Sequence, residues 1–339
     1  MIVSEIIEVK KLLSLSRRIA ILSHENPDGD AVGASLSLQN ILVQKGHKVD
    51  VLLPNLYPSF LAWMPGSKNI IIYDHQPKEW NKLFESAEII FCLDFNDPSR
   101  INHLAEKLSN SKAKKILIDH HLDPEVFCDY SFSQSETSST CELVFDFIQM
   151  IEASNLINKD IAECLYVGIM TDTGSFSYSC NYVKTYLIVA ELMKFGINVE
   201  RIHRLVYDTY SELRMRLLGF SLSERLKVLH EYHTAYIYLT MEDLKRFNHQ
   251  IGDTEGIVNF ALSISGISFA ALFIEKPSFV KISFRSKGTF PVNKVANRYF
   301  NGGGHRNAAG GSYYNSMKAT LDYFESILPE YKEELAINN

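Results

Sequence analysis

Ile19-Ala20-Ile21-Leu22-Ser23-His24-Glu25-Asn26-Pro27-Asp28-Gly29-Asp30-Ala31-Val32-Gly33-Ala34 is the stretch on which the reading of this chain turns. A short apolar run leads into one imidazole and two carboxylates, with Gly29 and Gly33 to let the backbone turn. An amphipathic helix is expected to follow over Ser35 to Lys45. In open α/β sheets, ligands bind just beyond the carboxyl ends of the strands. His and Asp there are the N and O donors that Mn²⁺, Mg²⁺ or Zn²⁺ take. Alone, the stretch reads equally as a polar turn whose Asp28 and Asp30 cap the helix.

The rest of the chain repeats the pattern. Ala87 to Leu93 is a continuous apolar run, as expected of a strand buried on both faces of a parallel sheet, and it ends at Asp94. Lys115 to Ile118 is another and ends at Asp119-His120-His121. Val49 to Leu53 and Ile70 to Tyr73 complete the expected strands. Helical stretches fall between or after them at Ile101 to Leu108, Leu143 to Ile151 and Lys159 to Met170, the last delivering Asp172. Alternating strands and helices predict a doubly wound parallel sheet. Tyr182 to Phe195, Val199 to Val206 and Ser211 to His230 read as helices that close this domain and lead out of it.

Beyond them the texture changes. Ala235 to Leu239, Ile267 to Ile274 and Val280 to Phe284 read as strands, and Lys318 to Leu328 as a closing amphipathic helix. The expected organisation is a catalytic domain over 1–205, a helical connector over 206–230 and a smaller α/β domain over 231–339. With 339 residues this suits the prior of about 150 residues per domain. The second domain's unusual stretch, Asn301-Gly302-Gly303-Gly304-His305, is expected to be a glycine loop before a helix, with backbone N–H groups that cradle an anion. Tight-turn glycines are the plainer alternative.

Composition narrows the function class. A net charge of −6 argues against a groove for long nucleic acid, although bound cations would still admit a phosphate substrate. No apolar run approaches the ~20 residues that span a bilayer, and Glu5 and Glu8 make the first residues an amphipathic helix instead of a signal peptide. Five scattered cysteines (Cys92, Cys128, Cys141, Cys164 and Cys180) fit a reduced, cytoplasmic enzyme.

Each acidic or imidazole position has a structural alternative. Asp94 and Asp97 could cap the helix after Pro98, Asp119 another, and Asp172 could end its own. Together they point to a metal site, because clustered carboxylates repel one another unless cations neutralise them. Here the sequence resembles the DHH phosphoesterases, named for the triad that stands as Asp119-His120-His121. His24-x-Asn26-Pro27-Asp28-x-Asp30, Asp94 and Asp172 match further family motifs, and Gly302-Gly303-Gly304-His305 with Arg285-Ser286 resembles the DHHA1 domain. The resemblance implies two divalent ions, Mn²⁺ foremost with Mg²⁺ or Co²⁺ as alternatives. His24, Asp28 and Asp94 would hold one, and Asp30, Asp94, His120 and Asp172 the other. It further implies His121 as donor to the phosphate, Asp119 orienting His120 or His121, and substrate contacts from Arg285, Ser286, Gly303, Gly304, His305 and Ser139.

The plan is most similar to the nanoRNase/pAp phosphatase group, which shortens very short RNA and dephosphorylates 3′-phosphoadenosine 5′-phosphate (pAp). The implied partners are therefore short RNA oligonucleotides and pAp, with no membrane, and a homodimer is compatible with the sequence. A signalling phosphodiesterase for linear or cyclic dinucleotides is the alternative, and a silent nucleotide sensor is a third reading. Ala34 and Cys141 depart from many relatives in the motifs where they stand.

Overall fold

A computed structural model describes residues 3–178, 180–250 and 252–337. The chain forms two compact units, Met1–Thr209 and Tyr210–Asn339.

In the first unit six strands lie parallel: β1 (Arg18–Ser23), β2 (Lys48–Leu53), β3 (Ile71–Ile72), β4 (Ile89–Leu93), β5 (Lys114–Asp119) and β6 (Tyr130–Ser133). Their spatial order is β3-β2-β1-β4-β5-β6, so the winding direction reverses between β1 and β4. Such a reversal opens a crevice at the carboxyl ends of the two strands. The helices are α1 (Val3–Leu12), α2 (Gly29–Gln44), α3 (Pro77–Ser86), α4 (Ala105–Asn110), α5 (Thr140–Met150), α6 (Lys159–Asp172), α7 (Val183–Met193) and α8 (Val199–Tyr207). Period-two alternation sorts the strand residues. Ile19, Ile21, Phe91, Leu93, Ile116 and Ile118 face the core under α2, α5 and α6. Ala20, Leu22, Ile90, Cys92 and Leu117 face Trp80, Phe84, Leu104 and Leu108. The doubly wound sheet expected from sequence is therefore present.

Three local expectations change. Helix α2 begins at Gly29, six residues before Ser35, because Asp28 caps it by accepting from the N–H groups of Asp30 and Ala31. Gly29 and Gly33 therefore lie inside the helix, and close packing explains them better than turning. A Cβ on Gly33 would stand 2.5 Å from the Cys164 carbonyl oxygen of α6. The stretch Ile101 to Leu108 is a 3₁₀ segment (Pro98–Leu104), broken at Asn102, followed by α4.

The second unit carries β7 (Leu226–Leu229), β8 (Thr234–Leu239), β9 (Phe269–Glu275), β10 (Val280–Ser286), β11 (Gly303–His305) and β12 (Ala308–Tyr313). The order is β11-β12-β10-β9-β8-β7, with only β8 and β9 parallel among its neighbours. Its helices are α9 (Glu212–Glu224), α10 (Met241–Arg246), α11 (Ile257–Leu262), α12 (Val292–Tyr299), α13 (Met317–Ile327) and α14 (Lys332–Ile337).

Two expectations are corrected here. The helix read over Ser211 to His230 stops at Glu224, because Leu226–Leu229 pairs antiparallel with β8. The glycine run is not a loop before a helix but the edge strand β11, paired with β12. An edge strand keeps one row of N–H groups directed away from the ladder, so anion contact by backbone survives in a different geometry. All five cysteines are free thiols, four of them buried. Among the described residues no helix is long and apolar enough to cross a membrane.

Two measurements test this packing. Gly33→Ala should cost about 2 kcal/mol, since the overlap with a backbone oxygen exceeds alanine's helix-propensity gain; the denaturant midpoint reports it. Asp243, in the first turn of α10, completes a capping box by accepting from Thr240 N–H and also accepts from Nε and Nη2 of Arg225 at 2.9 Å. Burial raises the Asp243 pKa, but Arg225 and the Thr240 cap overturn that and leave it lowered. A carboxyl depressed on folding stabilises above its unfolded pKa and loses that contribution as pH falls through the folded value. Asp243→Asn should thus cost about 2 kcal/mol at pH 7 and progressively less below about pH 4, read from urea unfolding at each pH.

Candidate metal centre

The crevice between β1 and β4 collects the acidic and imidazole residues. Ser23 Oγ donates to the Leu93 carbonyl at 2.8 Å and so ties the two strand ends together. Just past them stand His24 and Asp94. Asp94 has φ +64°, a left-handed backbone held by its N–H donating to the Ile118 carbonyl. That conformation costs about 1 kcal/mol in a non-glycine residue, and here it turns the carboxylate back over the strand ends. His24 Nε2 lies 3.4 Å from Asp94 Oδ2.

His120 follows β5. Its Nε2 lies 3.4 Å from Asp172 Oδ2, 3.6 Å from Asp94 Oδ1 and 3.8 Å from Asp30 Oδ2. Donor atoms of His24, Asp28 and Asp94 lie within 4.8 Å of one another, as do those of Asp30, His120 and Asp172. Asp94 also clusters with Asp119 and His121. Residues spread from position 24 to position 172 thus meet at one end of the sheet.

The structure separates caps from cluster members. Asp97 caps the 3₁₀ segment by accepting from Ser99 N–H at 2.6 Å and stays outside the cluster. Asp28 does both, capping α2 with one oxygen while lying beside His24 and Asp94. Asp119 is fully buried, accepts from His121 N–H at 3.0 Å, and lies 2.7 Å from His121 Nδ1. Of the two imidazoles that Asp119 was expected to orient, it is His121 that it grips.

The start of α5 is the element that the sequence reading undervalued. Thr140 N–H and Cys141 N–H donate to the two oxygens of Asp30 at 2.6 and 2.8 Å, and Thr140 Oγ1 donates to Asp94 Oδ1 at 2.9 Å. The first N–H groups of a helix have no intrahelical partner, so they are free to receive a carboxylate. Only the hydroxyl run Ser138-Ser139-Thr140 signals this in the sequence. Ser139, expected at the substrate, is fully buried and its Oγ caps α5 by accepting from Glu142 N–H. Gly168 of α6 leaves room for Cys141 and Asp30, since a Cβ there would come within 2.2 Å of Cys141 Sγ and 2.7 Å of Asp30 Oδ1.

Electrostatics match this crowding. Burial raises Asp30 well above the ordinary carboxyl range, and the charges of Asp94, Asp172 and Asp28 raise it further. Burial would raise Asp94 too, but the hydrogen bond and then the charge of His24 hold it well below that range. Burial lowers His24, yet its bond to Asp94 and the nearby carboxylates leave it raised. Burial and the neighbouring His121 lower His120 to about 4, so its imidazole is neutral at physiological pH, the form that ligates metals. Buried acids that disfavour one another's ionisation, with a neutral imidazole among them, suit a divalent cation better than protons.

In the second unit, Gly303 is exposed and a Cβ there would meet nothing within 4 Å. Arg285 is half-buried on β10 and one guanidinium nitrogen donates to the Phe284 carbonyl at 2.9 Å. Ser286, also expected at the substrate, lies inside the unit. It is buried, its Oγ donates to the Phe290 carbonyl, and it accepts from Asn307 Nδ2, so it braces the turn beneath β10.

Residues 18–169 match the family model described as DHH family, N-terminal domain, and residues 233–335 match the DHHA1 domain. The chain is similar to the bifunctional oligoribonuclease and PAP phosphatase NrnA of Bacillus subtilis, 26% identical over 309 residues that cover 91% of this chain and 93% of that protein. The Streptococcus mutans protein described as a probable bifunctional oligoribonuclease and PAP phosphatase is 28% identical over 310 residues, with 91% and 93% covered. The crystal structure of an exopolyphosphatase-related protein from Bacteroides fragilis superposes with a TM-score of 0.93 at 44% identity, covering 98% of this chain and 97% of that one.

If repelling carboxylates are what a cation relieves, chelator-treated protein should gain several degrees in Tm on adding Mn²⁺. Asp172→Asn should lose most of that gain while its metal-free Tm stays at or above wild type. Differential scanning calorimetry with and without EDTA reads both.

Proposed function

The chain belongs to the DHH phosphoesterase family and carries a DHHA1 domain, and on that basis we propose that it hydrolyses short oligoribonucleotides to nucleoside monophosphates and removes the 3′-phosphate of pAp. The observation that carries the reading is the convergence of His24, Asp28 and Asp94 beside Asp30, His120 and Asp172, two donor sets in one crevice. The names of the relatives in B. subtilis and S. mutans support the same substrate class.

Two divalent ions would sit there, Mn²⁺ foremost with Mg²⁺ or Co²⁺ as alternatives. His24, Asp28 and Asp94 would hold one; Asp30, Asp94, His120 and Asp172 would hold the other. Bound together, such a pair supplies Lewis acidity at the phosphoryl oxygens and acidifies an attacking water. The protein's part is to keep the donors in place. Thr140 and Cys141 fix Asp30 so that both oxygens stay aimed from one side, and Thr140 Oγ1 keeps Asp94 between the two sets. Asp119 lies 2.7 Å from His121 Nδ1 and so holds the ring in place for a phosphoryl oxygen. His121 would donate there while charge builds in the transition state. Arg285, Gly303, Gly304 and His305 would hold the part of the substrate away from the scissile bond.

A substrate panel tests this: pAp, ribo-oligomers of increasing length, linear and cyclic dinucleotides, and inorganic polyphosphate, each with Mn²⁺, Mg²⁺ and Co²⁺. The expected outcome is monophosphate release from short oligomers and from pAp, fastest with Mn²⁺. Asp94→Ala should lower kcat at least ~10³-fold, because it removes a donor common to both sets. Intact oligomers and intact pAp after incubation with wild-type protein would overturn the reading.

A further inference from the structure

The first turn of α5 is held from three sides. Successive helix residues point about 100° apart, so Thr140, Cys141 and Glu142 reach three different neighbours. Thr140 Oγ1 meets Asp94, and Cys141 fills the hollow that Gly33 and Gly168 leave between α2 and α6. Glu142 turns to α7. Its Oε2 accepts from Ser138 Oγ and from Thr185 Oγ1, each at 2.7 Å, and from Ser138 N–H at 3.4 Å. Lys184 Nζ lies 3.9 Å from Glu142 Oε1 and pairs with Asp146 one turn further along α5.

Helix capping alone does not account for this residue. Ser139 Oγ already takes the Glu142 N–H, and a glutamate at the third helical position ordinarily reaches back to the N–H of the cap residue. Glu142 instead binds Ser138, one residue earlier, and a hydroxyl 43 positions on. Only 1% of its surface is exposed, and Ser138 and Thr185 are fully buried. Taking a carboxylate out of water is costly, and a cap on the surface would avoid that cost.

We propose that Glu142 is a positioning residue for the ion that Asp30, His120 and Asp172 would share, acting through the first turn of α5. Its bonds clasp α5 to the helix that follows Asp172, so that the N–H groups of Thr140 and Cys141 stay on the two oxygens of Asp30. Glu142 itself is in neither donor set. His24 and Asp28 stand on the segment from β1 into α2, so the other ion depends far less on α5. The proposal rests on the reading that two ions bind in the crevice, and it adds a residue that tunes one of them from outside.

Mn²⁺ titration of chelator-treated protein, read by the electron paramagnetic resonance signal of free Mn²⁺, counts the ions and ranks their affinities. Wild type should take two. Glu142→Gln keeps the shape without the charge, and Thr185→Val removes one hydroxyl. Each should weaken one ion about tenfold and leave the other nearly unchanged, the size expected when the support of a ligand is lost. Thr185→Ser, which keeps the hydroxyl, should bind both ions as wild type does. In an Asp172→Asn background, where the same ion is already weakened, Glu142→Gln should have no further effect. A brace that only stabilises the fold would lower the metal-free Tm and leave both affinities as they are. That result in Glu142→Gln and Thr185→Val would overturn the proposal, as would a further loss in the double variant. Wild type that takes two Mn²⁺ but leaves pAp and short oligomers intact would count against the proposed activity and leave the clasp standing.

Discussion

The structure depends on holding like charges together out of water. Asp30 and Asp94 are both nearly inaccessible, and an isolated buried carboxylate costs several kcal/mol. What makes their placement tolerable is the start of α5, whose two backbone N–H groups and one hydroxyl meet them. His24 and His120 add neighbours that favour or tolerate negative charge. The remaining repulsion among Asp28, Asp30, Asp94 and Asp172 is what gives the crevice its affinity for cations.

Packing around that point follows from the same need. Helices α2, α5 and α6 approach closely because Gly33 and Gly168 remove the Cβ atoms that would keep them apart. The Cys141 thiol occupies the space beside Gly168 and is a fitted part of the support. Asp119, fully buried, braces His121 in the same manner. The donors are therefore carried by rigid strand ends and helix termini, a geometry that suits catalysis by positioning.

The second unit solves a different problem. Its sheet buries aromatic side chains on one face, with Phe269, Phe273, Phe284 and Phe300 around Phe324. On the other face α9, α10 and α11 pack an apolar cluster against Ala270, Leu272 and Ile274 of β9. Glycines at Gly302 and Gly304 let β11 lie close against β12, since a Cβ there would stand 1.9 Å from the Gly310 carbonyl oxygen or 2.7 Å from that of Ala308.

Much of this was legible in the residues. Apolar runs ending in His24, Asp94 and Asp119 fixed both the parallel sheet and the chemistry at its edge, because a strand buried on both faces must be continuously apolar and a ligand-binding end must be polar. What tertiary structure alone decided was which polar group does what. Asp97 and Ser139 turned out to be caps and Ser286 a brace, while Thr140 became a support for two carboxylates. Pairing of Leu226–Leu229 with β8 ended a helix early, and pairing of the glycine run with β12 replaced a loop by an edge strand. The reason is one of range. Local sequence encodes periodicity and residue chemistry, but not which of several partners a hydroxyl takes: Ser139 Oγ accepts from Glu142 three positions on, whereas Thr140 Oγ1 reaches Asp94 46 positions away.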